Sequence, residues 1–320
     1  MGSSVFVVGE YEVVELRIEA AAAHEAETTT TCSYRRPSRP SRPPKPLLIA
    51  TPATPPKAGG EFPVVIFLHG YLLFNSFYSQ LLRHVASHGF IALSPQLYDA
   101  AGPDSTDEIK SAAAITNWLS DGLQHVLPKH VHPNLSKLAL AGHSRGGKVA
   151  FALALGHAKT SLKFSAIIGV DPVDGMDKGK QTKPPVLTYV PRSFDLNMAA
   201  LVVGSGLGEL KRNLLFPPCA PKGVNHEDFF SECGTPAWYF VAADYGHLDM
   251  LDDETKGLRG RASYCLCKNG KAREPMRRFV GGILVAFMKA YLEDDFGDLI
   301  AVKEKPEIAP VGLRNVDFHV

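Results

Sequence analysis

Short apolar runs alternate with stretches of helical spacing from about residue 46 to residue 292. Residues 63–68 read Pro63-Val64-Val65-Ile66-Phe67-Leu68, a continuous apolar run of strand length. Such a run predicts a strand buried on both faces. Residues 47–50, 90–93 (closed by Ser94 and Pro95), 137–141, 164–170, 199–203 and 237–242 read as strands too. Residues 77–88 and 107–119 have helical spacing, 148–158 is an Ala-rich helical stretch, and 275–292 is a long final helix. Ser105 or Thr106 serves as a cap for 107–119, and Pro275 stands near the start of the last helix, where proline is tolerated. Residues 5–18 read as a first strand region. The alternation predicts an α/β protein, a mostly parallel central β-sheet flanked by helices on both faces. In such sheets catalytic groups gather at the carboxyl ends of the strands.

Residues 19–46 break the pattern. Runs of Ala (20–23) and Thr (28–31) precede a segment of Arg, Pro and Ser over 35–46. That composition cannot bury a core and reads as a flexible connector. Its basic charge reads as a solvated loop, because no amphipathic helix accompanies it. The chain therefore divides into a strand region plus connector (1–46), a catalytic domain (47–297) and a C-terminal tail (298–320).

Bulk properties narrow the function. A chain of 320 residues, 45% hydrophobic, can bury the core of one large α/β domain, or two domains at most. A net charge of +1 gives no basic footprint for nucleic acid. No apolar run reaches the roughly 18 residues that span a bilayer. Five cysteines are too few for a disulfide scaffold; one bridge is possible, with its pairing open. Cys265 and Cys267 lack a second pair at zinc-site spacing. The N-terminus has no secretory signal, and Glu10, Glu12, Glu15 and Glu19 make it too acidic for a transit peptide, which permits a cytosolic location.

The chemistry enters at Gly142-His143-Ser144-Arg145-Gly146, a G-x-S-x-G element. It lies between the strand 137–141 and a helical stretch, and that context separates it from an ordinary glycine-rich turn. A serine there occupies a sharp, strained corner with its hydroxyl exposed, and is a nucleophile. Side chains at the two glycines would crowd the neighbouring strand or helix. The base and the acid should follow in chain order. His247 lies in the loop leaving strand 237–242, where Gly246 frees the backbone; His226, in a Pro-rich loop, reads as structural or as rim. Asp171 ends strand 164–170, with Pro172 stopping the strand. Glu209, behind a glycine loop, is the second choice and Asp174 the third. The amides of Tyr71 and Arg145 are the oxyanion donors. The Arg145 side chain either anchors the helix or pairs with a substrate carboxylate. Leu72 and Phe74, after the oxyanion loop, and Phe216, on a rim over 216–230, supply an apolar mouth for a large apolar ester. No metal and no protein-bound cofactor is needed.

Five segments carry a resemblance. They are Phe67-Leu68-His69-Gly70-Tyr71-Leu72-Leu73, Gly142 to Gly147, Gly169-Val170-Asp171-Pro172-Val173-Asp174-Gly175, Phe216-Pro217-Pro218-Cys219-Ala220-Pro221, and Asp244-Tyr245-Gly246-His247-Leu248-Asp249 with the residues to Asp253. Together they resemble the plant chlorophyllase family of the α/β-hydrolase superfamily, over about residues 47–292. The resemblance implies hydrolysis of the phytyl ester of chlorophyll to chlorophyllide and phytol. It implies a triad of Ser144, Asp171 and His247, a magnesium that belongs to the substrate, a chloroplast location, and peripheral contact with a thylakoid or other membrane surface. The alternatives are a general carboxylesterase or lipid-ester hydrolase on the same fold and a non-catalytic hydrolase-fold binding protein, which would be expected to lack a triad member.

Overall fold

The structure is a computed structural model that describes residues 4–21, 42–56 and 59–319. Among the described residues nine strands form one sheet: β1 (Val13–Ile18), β2 (Leu47–Pro52), β3 (Phe62–Leu68), β4 (Ile91–Pro95), β5 (Pro133–His143), β6 (Ala166–Val170), β7 (Ala199–Ser205), β8 (Ala237–Ala242) and β9 (Leu313–His319). Their spatial order is β1-β2-β4-β3-β5-β6-β7-β8-β9. The strands from β4 to β8 pair in parallel. β1, β2 and β9 are added antiparallel at the two sides. The helices are α1 (Ser79–Ser87), α2 (Thr106–Val126), α3 (Arg145–Ala154), α4 (His226–Glu232), α5 (Gly257–Ser263), α6 (Arg273–Glu293) and α7 (Gly297–Glu304). This is the α/β-hydrolase fold.

The unbroken apolar runs follow from two covered faces. Val65 and Phe67 of β3 join a core with Leu81 and Val85 of α1 and Phe279 and Ile283 of α6. Val64, Ile66 and Leu68 point the other way, into a core with Ile109 and Leu119 of α2 and Val149 of α3. Both sets are out of water, so neither side of the strand can be polar. α2 runs past 119 to Val126 because Leu123 returns to the same core. Its start is fixed by Asp104, whose Oδ1 accepts the Thr106 amide at 2.7 Å; the Ser105 hydroxyl instead donates to the Lys183 carbonyl at 2.9 Å.

The sheet also takes one strand from each segment that the sequence sets apart from 47–297. β1 pairs with β2 along its whole length, and the Ala21 amide donates to the Pro43 carbonyl at 2.9 Å. The Pro/Arg-rich connector therefore leaves and returns at one place; its residues 22–41 lie outside the described residues. At the other end α7 leads to β9, which pairs with β8. Arg314, Asn315 and Asp317 hide this strand in the sequence, because an outermost strand needs only one apolar side. Among the described residues no helix is long and apolar enough to cross a membrane.

Candidate active site

β5 delivers the chain into α3 through Ser144, whose φ of 56° and ψ of −125° are unfavourable for a residue with a side chain. The strain persists because the corner is over-determined. A Cβ at Gly142 would lie 2.2 Å from the Gly146 carbonyl oxygen, and one at Gly146 would lie 2.3 Å from that of Leu68. Both glycines are therefore dictated by close backbone approach. The Ser144 amide donates to the Val170 carbonyl of β6 at 3.0 Å, and its carbonyl accepts the Val173 amide at 3.1 Å.

The next strand ends bring the partners. Asp171, immediately after β6, is fully buried and also has positive φ, at 44°. His247, in the loop after β8, donates from Nδ1 to Asp171 Oδ2 at 2.7 Å. Its Nε2 accepts from the Ser144 hydroxyl at 2.8 Å. Serine, imidazole and carboxylate thus form one hydrogen-bonded run. Burial by itself would raise the Asp171 pKa. The His247 hydrogen bond and charge, nearby His226 and the Ser205 hydroxyl outweigh it and hold the group at about 2. Ser205, the last residue of β7, donates to both carboxylate oxygens, through its hydroxyl and its amide.

The rival acids lie elsewhere. Glu209 sits in the turn beyond β7, while the bond to His247 Nδ1 goes to Asp171. Asp174 Oδ2 accepts the Val186 and Leu187 amides and the Gln181 amide group, which organises the 175–187 loop. Its other oxygen stands 3.8 Å from the buried Lys148 ammonium. His226 is the first residue of α4, bonded to the Tyr239 hydroxyl at 2.7 Å and standing 3.8 Å behind Asp171.

Arg145 is the first residue of α3, so its amide has no acceptor within the helix. Its guanidinium is fully engaged. It binds both oxygens of Glu108 on α2, at 3.0 and 2.5 Å, and the Gly102 and Asp104 carbonyls at 2.7 and 2.8 Å. It also lies over the Tyr71 ring, 5.0 Å from its centre. Of the two roles the sequence leaves open, anchoring is the one its contacts express. Tyr71 follows Gly70 in a tight turn, with the Leu73 amide bonded to the Gly70 carbonyl at 3.2 Å and Leu72 at a φ of 55°.

Two histidines without a part in the sequence reading support these loops. His69 donates from Nδ1 to the Gly70 carbonyl at 2.9 Å and accepts the Leu97 amide on Nε2 at 3.0 Å. Burial lowers its pKa to about 4. His143, beside the serine, donates from Nε2 to the His247 carbonyl at 2.9 Å and accepts on Nδ1 from the Tyr78 hydroxyl at 2.7 Å. Its place inside the G-x-S-x-G motif is the one signal of it in the sequence; Tyr78 and Ser205 carry none.

Ser144 opens between two cavities, of about 380 and 340 Å³. Tyr71 lines both, and Leu72 and Phe216 line the larger. Phe74 lines neither. Its ring packs edge-on against Phe77 and beneath the Arg259 guanidinium, which itself faces the larger cavity. A period of alternation cannot tell which apolar residues after Gly70 turn inward. Cys219 and Cys267 form a disulfide in the wall of the larger cavity. Cys233 and Cys265 are free thiols, one buried and one exposed, and Cys32 lies outside the described residues. Among the described residues no group of three or more His, Cys, Asp or Glu could hold a metal ion.

A family model described as Chlorophyllase matches residues 1–320. Chlorophyllase-2 of Arabidopsis thaliana is 64% identical over 276 residues, 85% of each chain. Chlorophyllase-1 of the same plant is 48% identical over 264 residues, 81% of each chain. Chlorophyllase-1, chloroplastic, of Citrus unshiu is 45% identical over 276 residues, 85% of this chain and 80% of its own. With the α/β-hydrolase sheet beneath the site and a match that runs from end to end, the chain belongs to the chlorophyllase family.

Proposed function

We propose that this chain hydrolyses the phytyl ester of chlorophyll, releasing chlorophyllide and phytol, with Ser144, His247 and Asp171 as its catalytic triad. The observation that carries the reading is the run from Asp171 through His247 to Ser144, at 2.7 and 2.8 Å, with His247 and Ser144 in the wall of an apolar cavity. As Ser144 Oγ attacks the ester carbonyl, its proton passes to His247 Nε2. Asp171 stays ionised, fixes the Nδ1–H tautomer and stabilises the imidazolium. The Tyr71 and Arg145 amides receive the oxyanion, each worth roughly 3 kcal/mol in the transition state. His247 then gives its proton to the phytol oxygen, the acyl–serine bond remains, and water repeats the two steps to free the acid and the serine. The names of the Arabidopsis and citrus relatives support this substrate for a chain of the same family. The word chloroplastic in the citrus names supports a plastid location.

The substrate is itself a membrane-dwelling amphiphile. Leu214 and Leu215 are 97% and 86% exposed on the loop that leads to Phe216, and Leu258 is exposed near the start of α5, one residue before Arg259 of the cavity wall. Apolar residues held in water beside the mouth suit brief contact with a lipid surface.

The test is incubation with chlorophyll a in mild detergent, followed by chromatography for a phytol-free pigment. Turnover of p-nitrophenyl butyrate without the pigment would make the chain a general esterase. A serine-directed phosphonate that fails to label it would leave a binding protein.

A further inference from the structure

The two cavities beside Ser144 share Tyr71, Met176 and Cys219 but differ in their remaining walls. The larger is bounded by Leu72, Leu73, Phe216, His247, Leu248 and Leu266. The smaller is bounded by Pro103, Arg145, Val173, Lys180, Gln181 and Thr182. His247 belongs to the first wall and not to the second. That asymmetry has a chemical meaning, because one nitrogen takes the proton from serine and returns it to the departing alcohol. Nε2 stands 2.8 Å from Ser144 Oγ, so the alkoxy oxygen must leave on the side of the serine that His247 occupies.

We propose that the larger cavity is the alcohol subsite, shaped for a long branched isoprenoid chain, and that the smaller is the acyl subsite, which receives the carboxyl-bearing edge of the tetrapyrrole. The assignment rests on the esterase reading above and adds to it the direction in which the ester lies. The walls agree with the direction. A hydrocarbon tail gains from Leu72, Leu73, Phe216, Leu248 and Leu266 by leaving water. The ring edge, with carbonyl oxygens of its own, meets Lys180 and Thr182, while the Gln181 amide group is held by the Asp174 carboxylate and the Leu187 carbonyl. The Arg145 guanidinium takes no part, since Glu108, Gly102 and Asp104 occupy it.

The experiment reads discrimination between two esters of one acid. It compares kcat/KM for chlorophyll a with that for the methyl ester of chlorophyllide a, and in parallel hexadecyl with methyl butyrate. Leu266→Glu places a charge in the larger cavity at a half-exposed position, and Phe216→Ser removes the facing ring should the first variant fail to fold. Either should lower the long-to-short ratio by about tenfold or more. Lys180→Glu, in the smaller cavity, should leave that ratio within about twofold, whatever it does to both rates, because the acyl group is common to the pair. The reverse pattern, with the ratio moved by Lys180→Glu and not by Leu266→Glu or Phe216→Ser, overturns the assignment. A butyrate ratio that moves as expected in an enzyme inactive on both pigments upholds the two subsites and overturns the chlorophyll reading instead.

Discussion

The Tyr78 hydroxyl donates to His143 Nδ1 at 2.7 Å, and through this bond the turn at Gly70 and Tyr71 is tied to the loop of His247. The same hydroxyl accepts the Gly70 amide at 3.0 Å, while His143 Nε2 holds the His247 carbonyl at 2.9 Å. Burial lowers the His143 pKa to about 3, so the ring stays neutral, 4.7 Å from the His247 ring, centre to centre. Tyr78→Phe leaves the Gly70 amide and a ring nitrogen unpaired in the core. It is expected to lower kcat about tenfold with little change in KM, and to cost about 1–3 kcal/mol of stability. Steady-state kinetics and thermal melting check both.

Asp171→Asn and Glu209→Gln separate the two acids. The first loses the carboxylate that orients His247 and should reduce kcat by about 10⁴. The second should change it by less than about twofold, since Glu209 stands outside the hydrogen-bonded run. A larger loss in Glu209→Gln would reverse the assignment.

Ser144→Ala should abolish turnover with the melting temperature kept within about 2 °C. Ser144→Gly should abolish it and raise the melting temperature, because glycine accepts a φ of 56° without strain. An unchanged rate in either variant would remove the serine from the mechanism.

Asp252 gives stability a pH dependence away from the chemistry. It accepts the Gln80 amide at 2.9 Å, and its own amide donates to the Phe77 carbonyl at 2.8 Å, which joins the start of α1 to the chain beyond His247. Burial pushes its carboxyl from 3.8 up to about 6. The folded state therefore holds this proton more tightly than the unfolded one. Its contribution is complete below the unfolded value and is lost as the pH rises through about 6. Asp252→Asn keeps the acceptor and removes the charge. It is expected to melt about 2–5 °C higher than the parent at about pH 7.5 and to lose that advantage at about pH 4. Calorimetry across this range is the check.

The disulfide closes a wall of the larger cavity across 48 residues of sequence. Cys219→Ser is expected to cost about 2–4 kcal/mol and to raise KM for long-chain esters more than for short ones. A reductant should reproduce both effects in the parent and neither in the variant.

The central strands are legible because both of their faces are buried; nothing in Val64 to Leu68 competes with the strand reading. The meeting of Ser144, Asp171 and His247 is legible for a related reason, since each lies at or in the loop just beyond the end of a recognisable apolar run and the parallel order brings those ends together. The rest depends on contacts across the chain. Whether Arg145 binds a substrate or a neighbour is decided by Glu108 on a different helix. The pairing of Cys219 with Cys267 is decided by loops without periodicity. α5 has too few apolar residues to announce itself, and is held by Thr255 and Arg273 through the Gly260 carbonyl and the Ser263 hydroxyl.

Both flanks of the sheet end in strands that carry charge. Glu15 and Arg17 pair at 3.3 Å on β1, and Arg314 and Asp317 occupy β9. Another molecule that tried to extend the ladder at either flank would have to strip water from these groups. The molecule is thereby guarded against self-association along its unpaired backbone, while Leu214 and Leu215, the most exposed large apolar side chains among the described residues, stand on the loop that leads to the mouth above the serine.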